Sequence, residues 1–134
     1  MIYGIQTREI YRWNKEKDDE IRKATPLLKE FRYSGSLETD DDVDYFEYES
    51  GASENITLDF QHDNLTEDRT GWEIELLDEN SETINLKDDS KLYSKWDKPV
   101  VESDGVKLEK GMTYYIRVSH GGSYTNETYH IRLR

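Results

Sequence analysis

Two runs of acidic side chains are the part of this sequence best suited to chemistry. The first lies at 14–20 (NKEKDDE), and the second at 40–44 (DDDVD), directly before a strand-like run. Four carboxylates in five positions repel one another unless water or a cation neutralises them. Asp41 and Asp44 can converge across a tight turn, and the first run would then complete a shell of oxygen ligands.

Calcium is the cation that such a shell favours. It takes about 6–8 oxygen ligands and tolerates irregular geometry, whereas magnesium demands a stricter octahedron. Zinc is poorly supplied, because the chain has no Cys and three His. An EF-hand starting at Asp40 is excluded, since its sixth position is Tyr45 rather than Gly and its twelfth is Gly51 rather than Glu. The residues alone leave an alternative open, which is a solvated acidic turn without an ion.

Composition narrows the class of protein. The 134 residues suit one domain, and 30 acidic against 18 basic residues give a net charge of −12. Residues 33–68 contain 12 acidic residues and no Lys or Arg, so nucleic acid is a disfavoured partner. Ten Tyr, three Trp and three Phe indicate a folded core despite a hydrophobic content of 34%. We predict no membrane span. No signal-peptide core follows Met1, so an exported protein would contain this chain as an excised part.

Hydrophobic alternation predicts the elements that position the acidic runs. Ile56, Leu58 and Phe60 fall on one face of a period-two run, as do Tyr114, Ile116 and Val118. The fold class predicted is all-β: an antiparallel, jelly-roll-like β-sandwich of about eight strands over residues 31–134. Residues 1–30 are predicted to be an N-terminal arm or linker, partly helical. The predicted strands lie near 31–37, 43–49, 55–61, 72–78, 83–87, 105–109, 112–119 and 127–133.

Five short segments follow one another in the order of a known family. They are 16–19 (EKDD), 35–37 (GSL), 41–46 (DDVDYF), 72–78 (WEIELLD) and 111–118 (GMTYYIRV). Together they resemble the bacterial pre-peptidase C-terminal (PPC) domain, a group that includes the collagen-binding domains of clostridial collagenases. The pattern of that family is E-P-N-D, G-x-L, D-x-D-x-[YF], W-x-L-x-L-x-D and G-x-Y-x-[IV]-x-V. Here Lys17 and Asp18 replace the Pro and Asn of the first segment.

The resemblance implies a calcium site between the N-terminal acidic segment and the turn before the 43–49 strand. It also implies a β-sandwich appended to secreted proteases and other exported enzymes. Asn14 stands where collagen-binding members carry a Glu. Carried over residue by residue, the implied calcium ligands are Asn14, Glu16, Asp18, Asp19, Asp41 and Asp44.

A binding face is implied on the strand near 112–119. Collagen-binding members use tyrosines of one sheet, and the outward positions here include Tyr115 and Arg117. Those members also carry a Tyr at the position of Val118, which this chain lacks. The candidate ligand-binding residues are Tyr93, Trp96, Tyr115, Arg117 and Tyr124.

The sequence therefore predicts a non-catalytic, calcium-stabilised accessory or targeting domain. Its parent would be an exported bacterial protease or other secreted or cell-surface protein, and its ligand a fibrous protein such as collagen. The three histidines fall in three separate runs, which argues against an enzyme. Two alternatives remain: a carbohydrate-binding jelly roll that binds a polysaccharide through a Trp/Tyr platform, and a free-standing protein-interaction domain that buries the 1–13 arm in another chain.

Overall fold

A computed structural model describes residues 2–5, 10–13, 21–63, 71–88, 90–122 and 124–134. These residues form fourteen β-strands, and helix is confined to one 3₁₀ turn at Ile21–Lys23. No helix in these ranges is long and apolar enough to cross a membrane. The strands are β1 (Ile2–Ile5), β2 (Ile10–Trp13), β3 (Thr25–Pro26), β4 (Arg32–Gly35), β5 (Val43–Glu49), β6 (Glu54–Ile56), β7 (Leu58–His62), β8 (Trp72–Leu77), β9 (Thr83–Ile84), β10 (Leu92–Tyr93), β11 (Val100–Glu102), β12 (Val106–Leu108), β13 (Thr113–His120) and β14 (Tyr129–Leu133).

Two main sheets carry most of these strands. The first sheet has the order β1-β2-β4-β14-β7-β11, and the second has the order β10-β8-β13-β5-β3, with β9 also paired to β8. Strands β6 and β12 form a small third sheet. Apart from the parallel pairs β2–β4 and β3–β5, the paired strands run antiparallel. The predicted all-β antiparallel sandwich is confirmed.

Alternating burial follows from the period-two sequence pattern. In β7 and β14 every second side chain is buried, and β13 follows the same pattern except that Ser119 near its end is buried too. The predicted inner faces lie inside: Ile56, Leu58 and Phe60, and Tyr114, Ile116 and Val118. Each strand thus presents one face to the core and one to water.

The run predicted as one strand over 55–61 is divided at Thr57. The Thr57 backbone exchanges two hydrogen bonds with Arg134, of 2.9 and 3.0 Å. Strand β6 before this point pairs with β12, whereas β7 after it pairs with β14 and β11. Alternation continues across the break because Ile56 and Leu58 are both buried, so hydropathy alone could not reveal that the chain changes sheets.

The segment predicted as a partly helical arm is extended over most of its described residues. β1 pairs with β2, and β2 pairs with β4 at the edge of the first sheet. The 3₁₀ turn ends just before β3, whose Pro26 lies exposed on the edge of the second sheet. An edge strand tolerates proline because no neighbour needs its missing N–H group.

Aromatic rings from both sheets fill the centre of the core. Tyr129 of β14 stacks on Phe60 of β7, with ring centroids 5.4 Å apart and an interplanar angle of 19°. The same ring meets Phe46 and Trp72 of the second sheet edge-on, at 6.5 and 6.1 Å. All four side chains are fully buried. The two sheets are therefore held together around Tyr129.

The outer face of the first sheet holds His130 in a largely desolvated position. Its Nδ1 lies 2.6 Å from the hydroxyl of Ser34 on the neighbouring strand. Burial, reinforced by the nearby Arg32 guanidinium, lowers the pKa of His130 to about 4, against a smaller opposing effect of Asp63. The folded protein therefore holds this imidazole neutral at neutral pH.

Because of this low pKa, His130 should make the folded protein less stable in acid. Replacing His130 by a side chain that does not titrate should remove this effect. Between an ordinary pKa of about 6.5 and the folded value of about 4, the unfolded chain binds a proton that the folded chain does not. The His130 contribution to stability is thus complete above pH 6.5 and is lost as the pH falls towards 4. We expect the melting temperature of H130N to fall less than that of the wild type over this range. Equal slopes for the two proteins would contradict the assignment.

Candidate functional site

The acidic turn before β5, residues 38–42, is built by Asp42. Its backbone N–H donates to the Thr39 carbonyl at 3.1 Å, and its Oδ2 accepts from the Glu38 N–H at 2.8 Å. An Asp side chain that bonds nearby backbone N–H groups stabilises a turn in this way. Asp40 and Asp41 are left exposed at its tip. Asp42 is therefore a structural residue, and the two exposed carboxylates remain available to an ion.

Asp44 lies on the inner face of β5. It shares that face with Phe46 and Tyr48, and only 2% of its surface is exposed. The Tyr129 hydroxyl donates to Asp44 Oδ2 at 2.5 Å. A buried carboxylate is costly unless it is hydrogen-bonded or paired with positive charge. Asp41 and Asp44, predicted to act together, thus stand in different surroundings: one is in solvent and one is inside.

The remaining predicted calcium ligands, Asn14, Glu16, Asp18 and Asp19, lie outside the described residues. Within the described ranges, no group of three or more acidic or His side chains is arranged to hold a metal ion. Asp41 and Asp44 supply only carboxylate oxygen, the donor that calcium prefers. The donor chemistry fits calcium, and the full ligand set stays a prediction.

Tyr124 lies against the acidic turn. Its hydroxyl donates to the Leu37 carbonyl at 2.9 Å, and its ring packs on the core. Burial raises the pKa of Tyr124, and the carboxylates of Asp42, Glu38 and Asp40 raise it further. This predicted ligand-binding residue therefore already uses its hydroxyl to hold the start of the turn.

The outer face of the second sheet carries three of the predicted binding residues. Tyr115 and Arg117 are half-buried on β13. Tyr93 on β10 lies opposite Glu73 of β8, and Glu73 lies opposite Ser119 of β13. Cross-strand partners share a face, so Tyr93 and the outward side chains of β13 belong to one surface. Trp96 lies beyond β10, on the turn between Lys95 and Lys98.

Charges on this outer face are interleaved. In the register of the sheet, Arg117 lies opposite Tyr45 of β5 on one side and opposite Glu75 of β8 on the other. Lys91 lies 3.3 Å from Glu73 and 3.8 Å from Glu75. Burial raises the pKa of Tyr115, and Glu47 and Glu79 add to the shift. The face offers aromatic rings and hydrogen-bonding groups rather than charge of one sign.

A shallow depression joins this face to the acidic turn. Arg117 is the cation among its lining residues, which otherwise include four carboxylates. The lining comprises Asp40, Asp41, Asp42, Val43, Glu73, Arg117, Ser119 and His120. The sequence had identified both ends of this depression without showing that they meet. Glu73 was missed as part of it, although its outward parity with Tyr115 and Arg117 was readable from the alternation.

Removing the Tyr129 hydroxyl tests its role towards Asp44. We expect Y129F to lose about 1–3 kcal/mol of unfolding free energy, because the buried carboxylate loses a donor. In D44N the same hydroxyl faces an amide, so adding Y129F should cost less in that background than in the wild type. Urea denaturation of the four proteins measures this coupling. Additive losses would show that Tyr129 acts only through its ring.

The fold of this chain is similar to that of a solved domain. No protein-family model matches the chain, and no curated protein matches it. Among solved structures, the pre-peptidase C-terminal domain of a collagenase from Bacillus anthracis matches with a TM-score of 0.60 and 18% identity, covering 83% of this chain and 94% of that one. A protein from Eubacterium rectale matches with a TM-score of 0.45 and 12% identity, covering 97% of this chain and 40% of that one. The resemblance found in the sequence motifs is confirmed at the level of fold: this chain folds as a PPC domain does.

Proposed function

We propose that this chain is a non-catalytic, calcium-stabilised accessory domain of an exported bacterial protease or another secreted protein. Its task would be to hold a fibrous protein substrate, such as collagen, close to the attached enzyme. The fold shared with the PPC domain of a collagenase is the observation that carries this proposal. Two features of the described residues support it: an acidic turn directly before β5, and an outer face on which Tyr93 lies with Tyr115 and Arg117.

Calcium would act on stability in this proposal. The ion would be held by Asp41 and Asp44 together with Asn14, Glu16, Asp18 and Asp19. It would supply positive charge next to a carboxylate that is 2% exposed and to a turn that concentrates acidic residues. An ion bound only by the folded chain stabilises that chain by mass action.

The placement of two of the three histidines, His62 and His130, supports a non-catalytic role. His62 is buried, with Nε2 2.8 Å from the Lys95 carbonyl. His130 is bonded to Ser34, whose own side chain is 3% exposed and thus closed to a substrate. Lys91 lies 3.3 Å from Glu73 and 3.8 Å from Glu75, so both strand carboxylates already have a cationic partner.

A fibrous ligand would lie along the outer face of the second sheet. Tyr115 and Arg117 are at its centre, with the ring of Tyr93 at its edge. Extended chains bind such faces through aromatic contact area and through hydrogen bonds to their carbonyls. Trp96 and Tyr93, 44% and 45% exposed, equally suit a sugar ring, which is the observation that keeps the polysaccharide alternative in the test.

Calcium should raise the melting temperature. At a free concentration 100–1,000 times Kd, the gain is about 2.7–4.1 kcal/mol, which corresponds to roughly 8–20 °C for a domain of this size. Differential scanning calorimetry in EGTA and in calcium measures the shift. D41N and D44N should lose most of it.

D104N is the matched control, because Asp104 is exposed and belongs to neither acidic run. It should keep the full calcium shift. Identical melting of the wild type in EGTA and calcium would refute the calcium proposal, while leaving the fold and the binding face untouched.

Ligand class is tested by co-sedimentation with insoluble collagen, chitin and cellulose. We expect retention on collagen, reduced about tenfold in Y115A/R117A, since two central contacts are worth about 1.4 kcal/mol together. L28A, which truncates an exposed side chain outside this face, is the control. Retention on chitin or cellulose alone would establish the polysaccharide alternative instead.

A further inference from the structure

A groove on the side of the sandwich concentrates positive charge in this acidic protein. It has a volume of about 680 Å³, within the range of about 300–1,000 Å³ typical of ligand clefts. Four lysines line it, Lys87, Lys91, Lys95 and Lys98, against two acidic residues, Asp88 and Glu102, of which Glu102 is bonded to Arg134. Tyr93 and Val100, which are 45% and 48% exposed, line it too, and Trp96 is next to it on the 95–98 turn.

Three of these lysines have no acidic partner among the described residues. Lys91 lies near Glu73 and Glu75, whereas no carboxylate of the described ranges lies within ion-pair distance of Lys87, Lys95 or Lys98. Lys95 and Lys98 are directly opposite each other across a β-bridge. Like charges in that arrangement repel and destabilise the turn. An anionic ligand would relieve this repulsion.

The other wall of the groove is the edge of the first sheet. His62 N–H donates to the Pro99 carbonyl and Ser103 N–H to the Leu58 carbonyl, so Pro99, Val101 and Ser103 bond towards β7. By the alternation of an antiparallel ladder, the main-chain groups of Val100 and Glu102 point the other way, out of the sheet. Asp104 continues this edge, and its N–H is already taken by the Leu86 carbonyl at 2.8 Å.

The edge at Val100 and Glu102 is therefore open. Within the described residues, no backbone hydrogen bond joins Val100 or Glu102 to a segment on the groove side. Two outward residues offer two donors and two acceptors, with a repeat of about 6.8 Å along the strand. That spacing is the repeat of another β-strand.

We propose that this groove binds an acidic polypeptide segment in extended conformation. The segment would pair with the β11 edge through its main chain. Its carboxylates would face Lys87, Lys95 and Lys98, and its apolar side chains would contact Val100 and Tyr93. The inference goes beyond the accessory role proposed above. Tyr93 is shared with the outer-face set, but Lys87, Lys95 and Lys98 belong to neither that set nor the calcium set.

The probe is a fluorescein-labelled peptide, acetyl-Val-Asp-Val-Glu-Val-Asp-Val-amide, titrated with the full chain and followed by fluorescence anisotropy at low salt. We expect binding that weakens as salt rises, because salt screens exposed charges. K95Q/K98Q should weaken it about fivefold, the effect of two exposed ion pairs of roughly 0.5 kcal/mol each. K107Q/K110Q removes two exposed lysines outside the groove and should leave binding unchanged.

Two further peptides separate strand pairing from simple charge attraction. A version N-methylated at alternate residues keeps its charge but loses main-chain donors on one edge. It should bind roughly thirtyfold more weakly, as expected for the loss of two hydrogen bonds worth about 1 kcal/mol each. A version with Lys in place of Asp and Glu should not bind. Equal binding of the N-methylated peptide, or tighter binding of heparin than of the acidic peptide, would overturn the proposal in favour of a general polyanion site. Failure of the acidic peptide to bind would also overturn the proposal. The lysines would then be residues that keep an exposed sheet edge from pairing with other chains.

Discussion

The Tyr129 side chain is the contact on which the rest of the structure depends. Its ring stacks on Phe60 of its own sheet and meets Phe46 and Trp72 of the other, so it fixes the separation of the two sheets. Its hydroxyl reaches the carboxylate of Asp44. One buried residue thus connects the packing of the core to the acidic turn. A domain with few apolar residues concentrates much of its cohesion in such rings, because each aromatic side chain buries a large area.

The position of Asp44 explains why acidic residues differ in role along one short segment. Asp42 folds the turn, Asp40 and Asp41 remain in solvent, and Asp44 is carried inside by the parity of β5. A carboxylate on the inner face demands compensation that one on the outer face does not. Net charge alone describes none of these differences. The acidic residues of 33–68 therefore differ in role from one position to the next. Only the carboxylates that are exposed to solvent can repel anionic polymers.

Much of this arrangement was predictable from the sequence, because period-two alternation determines which side chains face the core. Strand β5 has the predicted bounds, and Phe60 and Tyr114 are buried as expected. The same parity places Asp44 with Phe46 and Tyr48, so the burial of Asp44 could also be predicted from the sequence. The contact of Asp44 with Tyr129 could not be predicted from the sequence, since contacts between strands distant in sequence depend on how the sheets pair and pack. The break at Thr57 and the short edges β10 and β11 were hidden for the same reason: each is defined by its neighbours, and each contains too few residues to show a period.

The second sheet stands between the core and the outer face that carries the candidate binding residues. This limits how an ion bound on the inner side could influence a ligand on the outer face. Asp44 lies opposite Val118 in the β5–β13 ladder, on the inner face of the sheet. Their chain neighbours Tyr45 and Arg117 lie opposite each other on the outer face. Asp41 lines the same depression as Arg117, so an ion held there would border the outer face directly. An ion at Asp44 would stand on the opposite side of the sheet from a ligand on Tyr115 and Arg117. Its influence would pass through the position of β5, which is held against β13 by seven paired residues. Because that ladder is long and its inner side chains are buried, it resists small displacements. Neutralising Asp44 should therefore change how firmly the sandwich holds together far more than it changes the shape of the outer face.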